Sequence, residues 1–351
     1  MQQTPRIMLY TPYLHGNRGN STTAKRIYNG LQRKGYKVAI FSYEEDKWDE
    51  EAKVQTEKAD LIHIIHFYRF AKWQKQSGYE LKNPYILTSG GTDVNENLFN
   101  KRDRLEMQHL LENANAITVF TDDAKQKLIA AYESIQLKIE VINQSVWFPK
   151  KGISHQKNIL INGNPTILLP SGLRKVKDIF YLMDEIISLK SIYERLQLVI
   201  VGMALEADVY KVLQQYMLEY DWITFFENIP IEGMPSFYEW ADIVLNTSIS
   251  EGQSSAILEA MHFGCLVFAR QNPGNASIVD DGKNGFLFQD GSEFLEKFNA
   301  VQHDHELKHK LITQAKQYVQ QYHSFEEEIN SYITVYSNCL EDRKGFVKEK
   351  E

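Results

Sequence analysis

A chain of 351 residues can build two lobes with separate cores, and 43% hydrophobic with 24% charged residues is the balance of a soluble protein. A formal charge of −7 with a pI near 5.9 supplies no basic face, so nucleic acid is not expected as a partner. Cys265 and Cys339 are too few for a disulfide scaffold or a four-ligand zinc site, Met1 to Pro5 lacks the charged and apolar regions of a signal peptide, and no apolar run reaches the length of a membrane span. A cytoplasmic location is expected, with peripheral contact at a membrane surface left open.

In chain order, Arg6 to Pro12 reads as an apolar strand that empties into the glycine-containing loop Gly16 to Gly19. A helix follows, carrying Ala24, Ile27, Tyr28 and Leu31 to a stop at Gly35. Strands are predicted at 36–43, 59–67, 84–89, 116–121 and 139–146, with a helix in the charged segment 44–58. From Phe148 to Asn164 the pattern dissolves into prolines, lysines and glycines, which places a linker there. A second series begins at Pro165, with strands at 166–170, 196–202, 223–227, 243–246, 266–270 and 285–288 and helices between them. A last helical pattern, Ile329, Ile333 and Tyr336, runs over 326–340 before a charged tail. Strand–helix alternation repeated twice predicts an α/β fold of two Rossmann-like domains, 1–150 and 165–325, with parallel sheets facing across a cleft. No internal repeat of solenoid length and no low-complexity tract is found.

The richest stretch is Asn246 to Met261, where a β-branched strand runs into Glu251-Gly252-Gln253-Ser254-Ser255 and then a helix ended by Gly264. Ser254 or Ser255 suits the N-cap, and Ile257, Leu258 and Met261 make the buried stripe. Helical side chains lean toward the N-terminus, so Glu259 aims back at the turn that holds Glu251. Two carboxylates, free backbone N–H groups and a helix dipole at the carboxyl end of a strand suit a ligand with hydroxyls and a phosphate. For the bare pair, the helix dipole alone is the commoner explanation of acids at a helix start. Arg174, Lys175 and Lys177 follow the first strand of this lobe, in a position to hold phosphate or simply to face solvent. Gly274 and Asn275 follow the fifth strand at a helix start and offer backbone amides.

On the first lobe, Gly16 and Gly19 allow close approach of backbone to a ligand, and Gly90-Gly91-Thr92-Asp93 follows a strand, with Asp93 the best-placed carboxylate. His63 and His66 fall on opposite faces by strand alternation, which argues against a shared metal; His66 and Arg69 are candidates for the cleft wall. No Gly-x-Gly-x-x-Gly after a strand, no Walker loop, no Gly-x-Ser-x-Gly elbow, no His-Glu-x-x-His and no Asp-x-Asp is found.

Ser250-Glu251-Gly252-x-Ser254-x-Ala256-Ile257-Leu258-Glu259-Ala260-Met261, supported by Gly172 to Lys177, Pro273-Gly274 and Asn284-Gly285, resembles the retaining glycosyltransferases of family 4 with their GT-B architecture. His66 to Arg69, Gly90 to Glu96 and Ala269 to Ala276 resemble the branch called glycosyltransferase 1 domain-containing protein 1. The resemblance covers nearly the whole chain. It implies a metal-independent enzyme, without cofactor, that takes a nucleotide diphosphate sugar as donor. In it Glu259 would meet the ribose, Glu251 the sugar, and Arg174 and Lys177 the diphosphate, with Gly252, Gln253, Ser254, Ser255, Gly274, Asn275, Gly16 and Gly19 around the donor. Glu251, Arg174, Lys177 and Asp93 would serve the chemistry, and His66, Arg69, Gly90 and Gly91 the acceptor side. It also implies that the helix 326–340 crosses back to brace the first domain. Two departures stand out: Gly90 occupies a place where many relatives carry histidine, and Glu251-Gly-Gln-Ser replaces the usual Glu-Gly-Phe-Gly. The first keeps open a second reading, a nucleotide-sugar-binding sensor without transfer. Donor base, sugar, acceptor and oligomeric state are not legible at this level.

Overall fold

The computed structural model describes residues 4–16, 18–149 and 162–348. The chain divides into two compact units, one ending at Gln144 and taking in the terminal helix from Phe325, the other covering Ser145–Ser324. The first unit closes earlier than position 150 because Val146 and Phe148 pack on the core of the second. The linker expected over 148–164 lies for the most part, 150–161, outside the described residues.

The first unit contains β1 (Arg6–Thr11), β2 (Lys37–Ser42), β3 (Leu61–Ile65), β4 (Tyr85–Thr88), β5 (Ala116–Val119) and β6 (Ile139–Val141) in the order β2-β1-β3-β4-β5-β6. All neighbours run parallel. Alternation along β1 and β3 sends Met8, Tyr10, Ile62 and Ile64 to one face and Ile7, Leu9, Leu61 and Ile65 to the other, each covered by helices. The charged segment after β2 holds the helix Glu50–Glu57, started by Asp49, whose side chain accepts from Ala52 N.

The terminal helix Phe325–Lys348 closes the second of these faces with Ile329, Tyr332 and Tyr336. Arg26 and Glu328, each with a side chain 1% exposed, form a two-pronged ion pair, Nε to Oε2 at 2.8 Å and Nη2 to Oε1 at 3.0 Å. His63 lies in the same layer, with Tyr336 Oη 2.7 Å from Nδ1 and Thr88 Oγ1 2.6 Å from Nε2. Burial drives its pKa down to about 3, so the ring is a neutral structural element.

The second unit contains β7 (Thr166–Pro170), β8 (Gln197–Gly202), β9 (Ile223–Glu227), β10 (Ile243–Asn246), β11 (Leu266–Arg270) and β12 (Phe286–Phe288), again all parallel, in the order β12-β11-β10-β7-β8-β9. Ile167, Leu169, Ile243 and Leu245 face one core layer; Leu168 and Val244 face the other. Each unit is thus a doubly wound α/β layer structure, and strand order fixes where loops converge: at β1/β3 in the first and β7/β10 in the second, the connections reverse direction.

Candidate functional site

At the β7/β10 reversal, the loop after β7 carries Arg174, Lys175 and Lys177, and the loop after β10 carries Ser248, Glu251 and Gly252. The two are laced by backbone: Ile249 N donates to Val176 O at 2.9 Å and Thr247 Oγ1 to Lys177 O at 3.0 Å. Lys177 Nζ then donates to Glu251 Oε1 at 2.6 Å, with side chains 16% and 12% exposed. Ser248 Oγ and Asn246 Nδ2 donate to the same oxygen at 2.7 and 3.2 Å. Burial alone would raise the Glu251 pKa, but Lys177, Ser248 and Asn246 outweigh it and hold the carboxyl below its ordinary value. Glu251 is therefore a fixed carboxylate, and Lys177 keeps two further N–H donors beyond this bond.

Gly274 completes the wall by close approach. A Cβ at this position would fall 2.3 Å from Glu251 O and 2.6 Å from Glu251 C, so only glycine lets the loop after β11 lie against the Glu251 backbone. Asn275 is fully buried, donates through Nδ2 to Asn246 Oδ1 at 3.2 Å and Arg270 O at 2.9 Å, and has its Oδ1 without a hydrogen-bond partner. Arg174 Nε is likewise buried and unpartnered. Buried polar atoms normally find partners, so an open donor and acceptor at one sheet edge mark a place for a ligand.

The helix Ser255–Phe263 starts here with Ser254 at its N-cap, but Ser254 does not cap through its side chain; its hydroxyl receives Asn246 Nδ2 at 3.0 Å. The first amides are left available to an anion. Gln253 and Ser254 are buried beside it, Gly252 and Ser255 half-buried, and Gly264 ends the helix at φ 86° as the sequence predicts. Glu259, 9% exposed, accepts the Tyr238 hydroxyl at 2.7 Å. Burial first, and this carboxylate second, push the Tyr238 pKa far up. Sequence reasoning missed Tyr238, Asn246 and Ser248. Asn246, a polar residue closing an apolar buried strand, was the available signal; Tyr238 sits in an apolar helix, Met234–Trp240, and reads as core.

In the first unit the loops after β3 and β4 meet. His66 is the N-cap of the helix Phe67–Ser77, at φ 74° and ψ 92°, with Thr92 Oγ1 2.9 Å from Nε2 and Asp93 Oδ2 3.6 Å from Nδ1. Burial lowers its pKa, with Asp93 opposing. Its ring fills the space beside Gly90: a Cβ there would sit 2.5 Å from His66 Cδ2. Asp93, 0% exposed, accepts from Phe67 N, Ser89 Oγ, Gly90 N and its neighbour Val94 N at 2.8 to 3.1 Å. Both oxygens are committed to loop geometry, so Asp93 positions the loop and offers no open face for the chemistry expected of it. Gly91 adopts φ 98° at the start of the short helix Thr92–Asn95. Gly16 and Gly19 flank the loop after β1, with Gly19 opening the helix Gly19–Arg33, and Arg69 reaches Tyr13 of that loop. Among the described residues no three His, Cys, Asp or Glu side chains gather as a metal-holding group, and no helix is long and apolar enough to cross a membrane.

Residues 150–318 match the family model described as Glycosyl transferases group 1. Over 344 residues the chain is 28% identical to Glycosyltransferase 1 domain-containing protein 1 of Xenopus tropicalis, covering 94% of this chain and 97% of that one. Among solved structures, Anabaena HepE in complex with UDP-glucose superposes with a TM-score of 0.76 at 18% identity, covering 95% of this chain and all of that one. Sucrose-phosphate synthase of Thermosynechococcus elongatus gives 0.75 at 16% identity, with 95% and 98% covered. These likenesses establish the GT-B-like α/β fold, and the match over 150–318 makes that segment similar to the group 1 glycosyl transferases.

Proposed function

We propose that the protein is a metal-independent retaining glycosyltransferase that moves a sugar from a nucleotide diphosphate donor to an acceptor hydroxyl. The observation that carries this reading is the half-buried Lys177–Glu251 pair at the β7/β10 reversal, walled by Gly274 and followed by a helix whose first amides lack a side-chain cap. Such an edge takes an anion and a polyol together. HepE is seen with UDP-glucose, which makes a UDP-sugar the first donor to try.

In this reading Glu259 accepts from the ribose hydroxyls while Tyr238 holds it in place. Glu251 contacts the sugar near its reacting carbon, and the amides around Gly252 to Ser255 and Gly274 to Asn275 take phosphate oxygens. Arg174, through its open Nε, and Lys177, through its remaining N–H donors, neutralise the departing diphosphate. Charge develops on that leaving group in the transition state, so fixed cations there act where electrostatic stabilisation is largest. The bond from the anomeric carbon to the phosphate oxygen breaks, the acceptor oxygen bonds to the same face, and its proton passes to the departing phosphate. No histidine at position 90 is needed for that transfer.

The test is incubation of the protein with UDP-, GDP- and ADP-glucose and an acceptor panel, reading free nucleotide diphosphate. Acceptor-dependent release from one donor supports the reading. Tight binding without release supports a nucleotide-sugar sensor instead, the reading that Gly90 favours, and absence of binding removes both.

A further inference from the structure

At the carboxyl edge of the first sheet, two arginines converge on one tyrosine. Arg18 lays its guanidinium carbon 3.8 Å from the centre of the Tyr13 ring. Arg69 places its own 5.3 Å from that centre and donates from Nη1 to the Tyr13 hydroxyl at 2.9 Å. Tyr13 and Arg18 stand in the loop after β1, and Arg69 in the first turn of the helix after β3. These strands are neighbours at the point where the sheet's connections reverse, the position at which open parallel sheets hold ligands.

Of the acids in the adjoining segment, Glu44, Glu45 and Asp46, only Glu44 meets an arginine of this pair among the described residues. Glu44 lies 3.8 Å from Arg69 Nη1, with side chains 41% exposed for Arg69 and 38% for Glu44, a long and solvent-screened contact. Among the described residues Arg18 makes no ion pair. The other acids close by are occupied elsewhere: Glu45 Oε2 accepts from Leu14 N at 2.7 Å, His15 N at 3.0 Å and Ser42 Oγ at 2.9 Å. Asp46 meets His15 Nε2 at 3.0 Å and accepts Ser42 N at 2.9 Å. Glu45 and Asp46 thereby pin the loop that presents Tyr13 and Arg18, and the aromatic ring restrains both guanidinium groups. Two guanidinium groups restrained by one ring, with Glu45 and Asp46 still charged but turned to the loop backbone and His15, present paired N–H donors suited to a dianion.

We propose that Arg18 and Arg69 form a phosphate-binding site in the first unit, and that the acceptor of sugar transfer carries a phosphate monoester seated there. The acceptor assignment rests on the transfer reading of the second unit; the anion site rests on the first unit alone. The experiment uses the full-length protein saturated with UDP, so that Arg174 and Lys177 are occupied, and titrates inorganic phosphate, glycerol 3-phosphate and glycerol by calorimetry. The expected result is binding of both phosphates, tighter for glycerol 3-phosphate, and none of glycerol. Arg18→Gln and Arg69→Gln should each weaken phosphate binding tenfold or more, the lysine variants should recover part of it, and Glu44→Gln should tighten it several-fold. UDP affinity and the unfolding temperature should stay unchanged in Arg18→Gln. Phosphate affinity unaltered in both glutamine variants overturns the site. Equal affinity for the two phosphates overturns the acceptor assignment. Failure of UDP to bind overturns the nucleotide reading instead, and the same titration without UDP then decides the arginine site by itself.

Discussion

Gly274→Ala offers a sharp test of the second unit's loop geometry because the added methyl meets backbone. Its Cβ would lie 2.3 Å from Glu251 O, 2.6 Å from Glu251 C and 2.8 Å from Glu251 Cβ. An ordinary contact is roughly 3.4 Å or more, so the Glu251 segment must retreat by roughly 1 Å, and no rotamer change can relieve a clash with a carbonyl. Overpacking of this kind costs about 1–3 kcal/mol of stability. The larger effect falls on activity. Glu251 is held to Lys177, Ser248 and Asn246 through one oxygen, and a shift of that size breaks the alignment. Misplacement by about 1 Å in a positioned site lowers turnover on the order of a hundredfold. Thermal unfolding and nucleotide diphosphate release, measured on the same preparation, separate the two consequences. A variant that releases nucleotide at the wild-type rate would show that the Glu251 loop does not position the donor.

Other perturbations probe separate parts of the account. Glu259→Gln leaves an acceptor for the Tyr238 hydroxyl but removes the charge, so the fold should survive while UDP affinity falls by about 1.5–3 kcal/mol in calorimetry; equal affinity would remove Glu259 from the ribose. Arg26→Ala strands the buried Glu328 carboxylate and should cost about 3–5 kcal/mol in chemical unfolding, whereas a loss under about 1 kcal/mol would mean that the terminal helix does not depend on this pair. His63 gives a pH signature. Its folded pKa, about 3, lies below its ordinary value, so only the unfolded chain takes up the proton as pH falls below about 6.5; the native state then loses about 2 kcal/mol from this group by about pH 5, with no further loss below the folded pKa. Because Glu251 also titrates below its ordinary value, its contribution is present above the ordinary carboxyl range and is lost as pH falls through its folded pKa, which places its loss lower than the onset from His63. A flat stability profile between about pH 6.5 and 5 would contradict the neutral burial of His63.

How much of this was legible in the chain depended on whether the signal was local. The twelve strands of the described residues were readable from their apolar runs, most plainly the central ones buried on both faces, Leu61–Ile65 and Ile243–Asn246. The stop at Gly264 was equally local, a left-handed residue that glycine accommodates. The Lys177–Glu251 bond was not legible, since it depends on β10 lying beside β7, and strand order is a property of the packed sheet rather than of the order along the chain. Asp93 shows the same limit from the other side. An acid after a glycine pair reads as a reactive group, and only the amides of Phe67 and Gly90 turned upon it reveal a structural task. Gly90 itself was read as a missing side chain, whereas the neighbouring His66 ring uses the space. Tyr13, Arg18 and Arg69 were joined by the β1/β3 pairing, which no spacing in the sequence encodes.

The central claim, that a nucleotide diphosphate sugar is gripped at the β7/β10 edge, is tested most directly by a crystal structure with UDP bound. The expected result is diphosphate oxygens within hydrogen-bond distance of Lys177 Nζ and Arg174, with the ribose hydroxyls on Glu259. A nucleotide found away from all three side chains would contradict it.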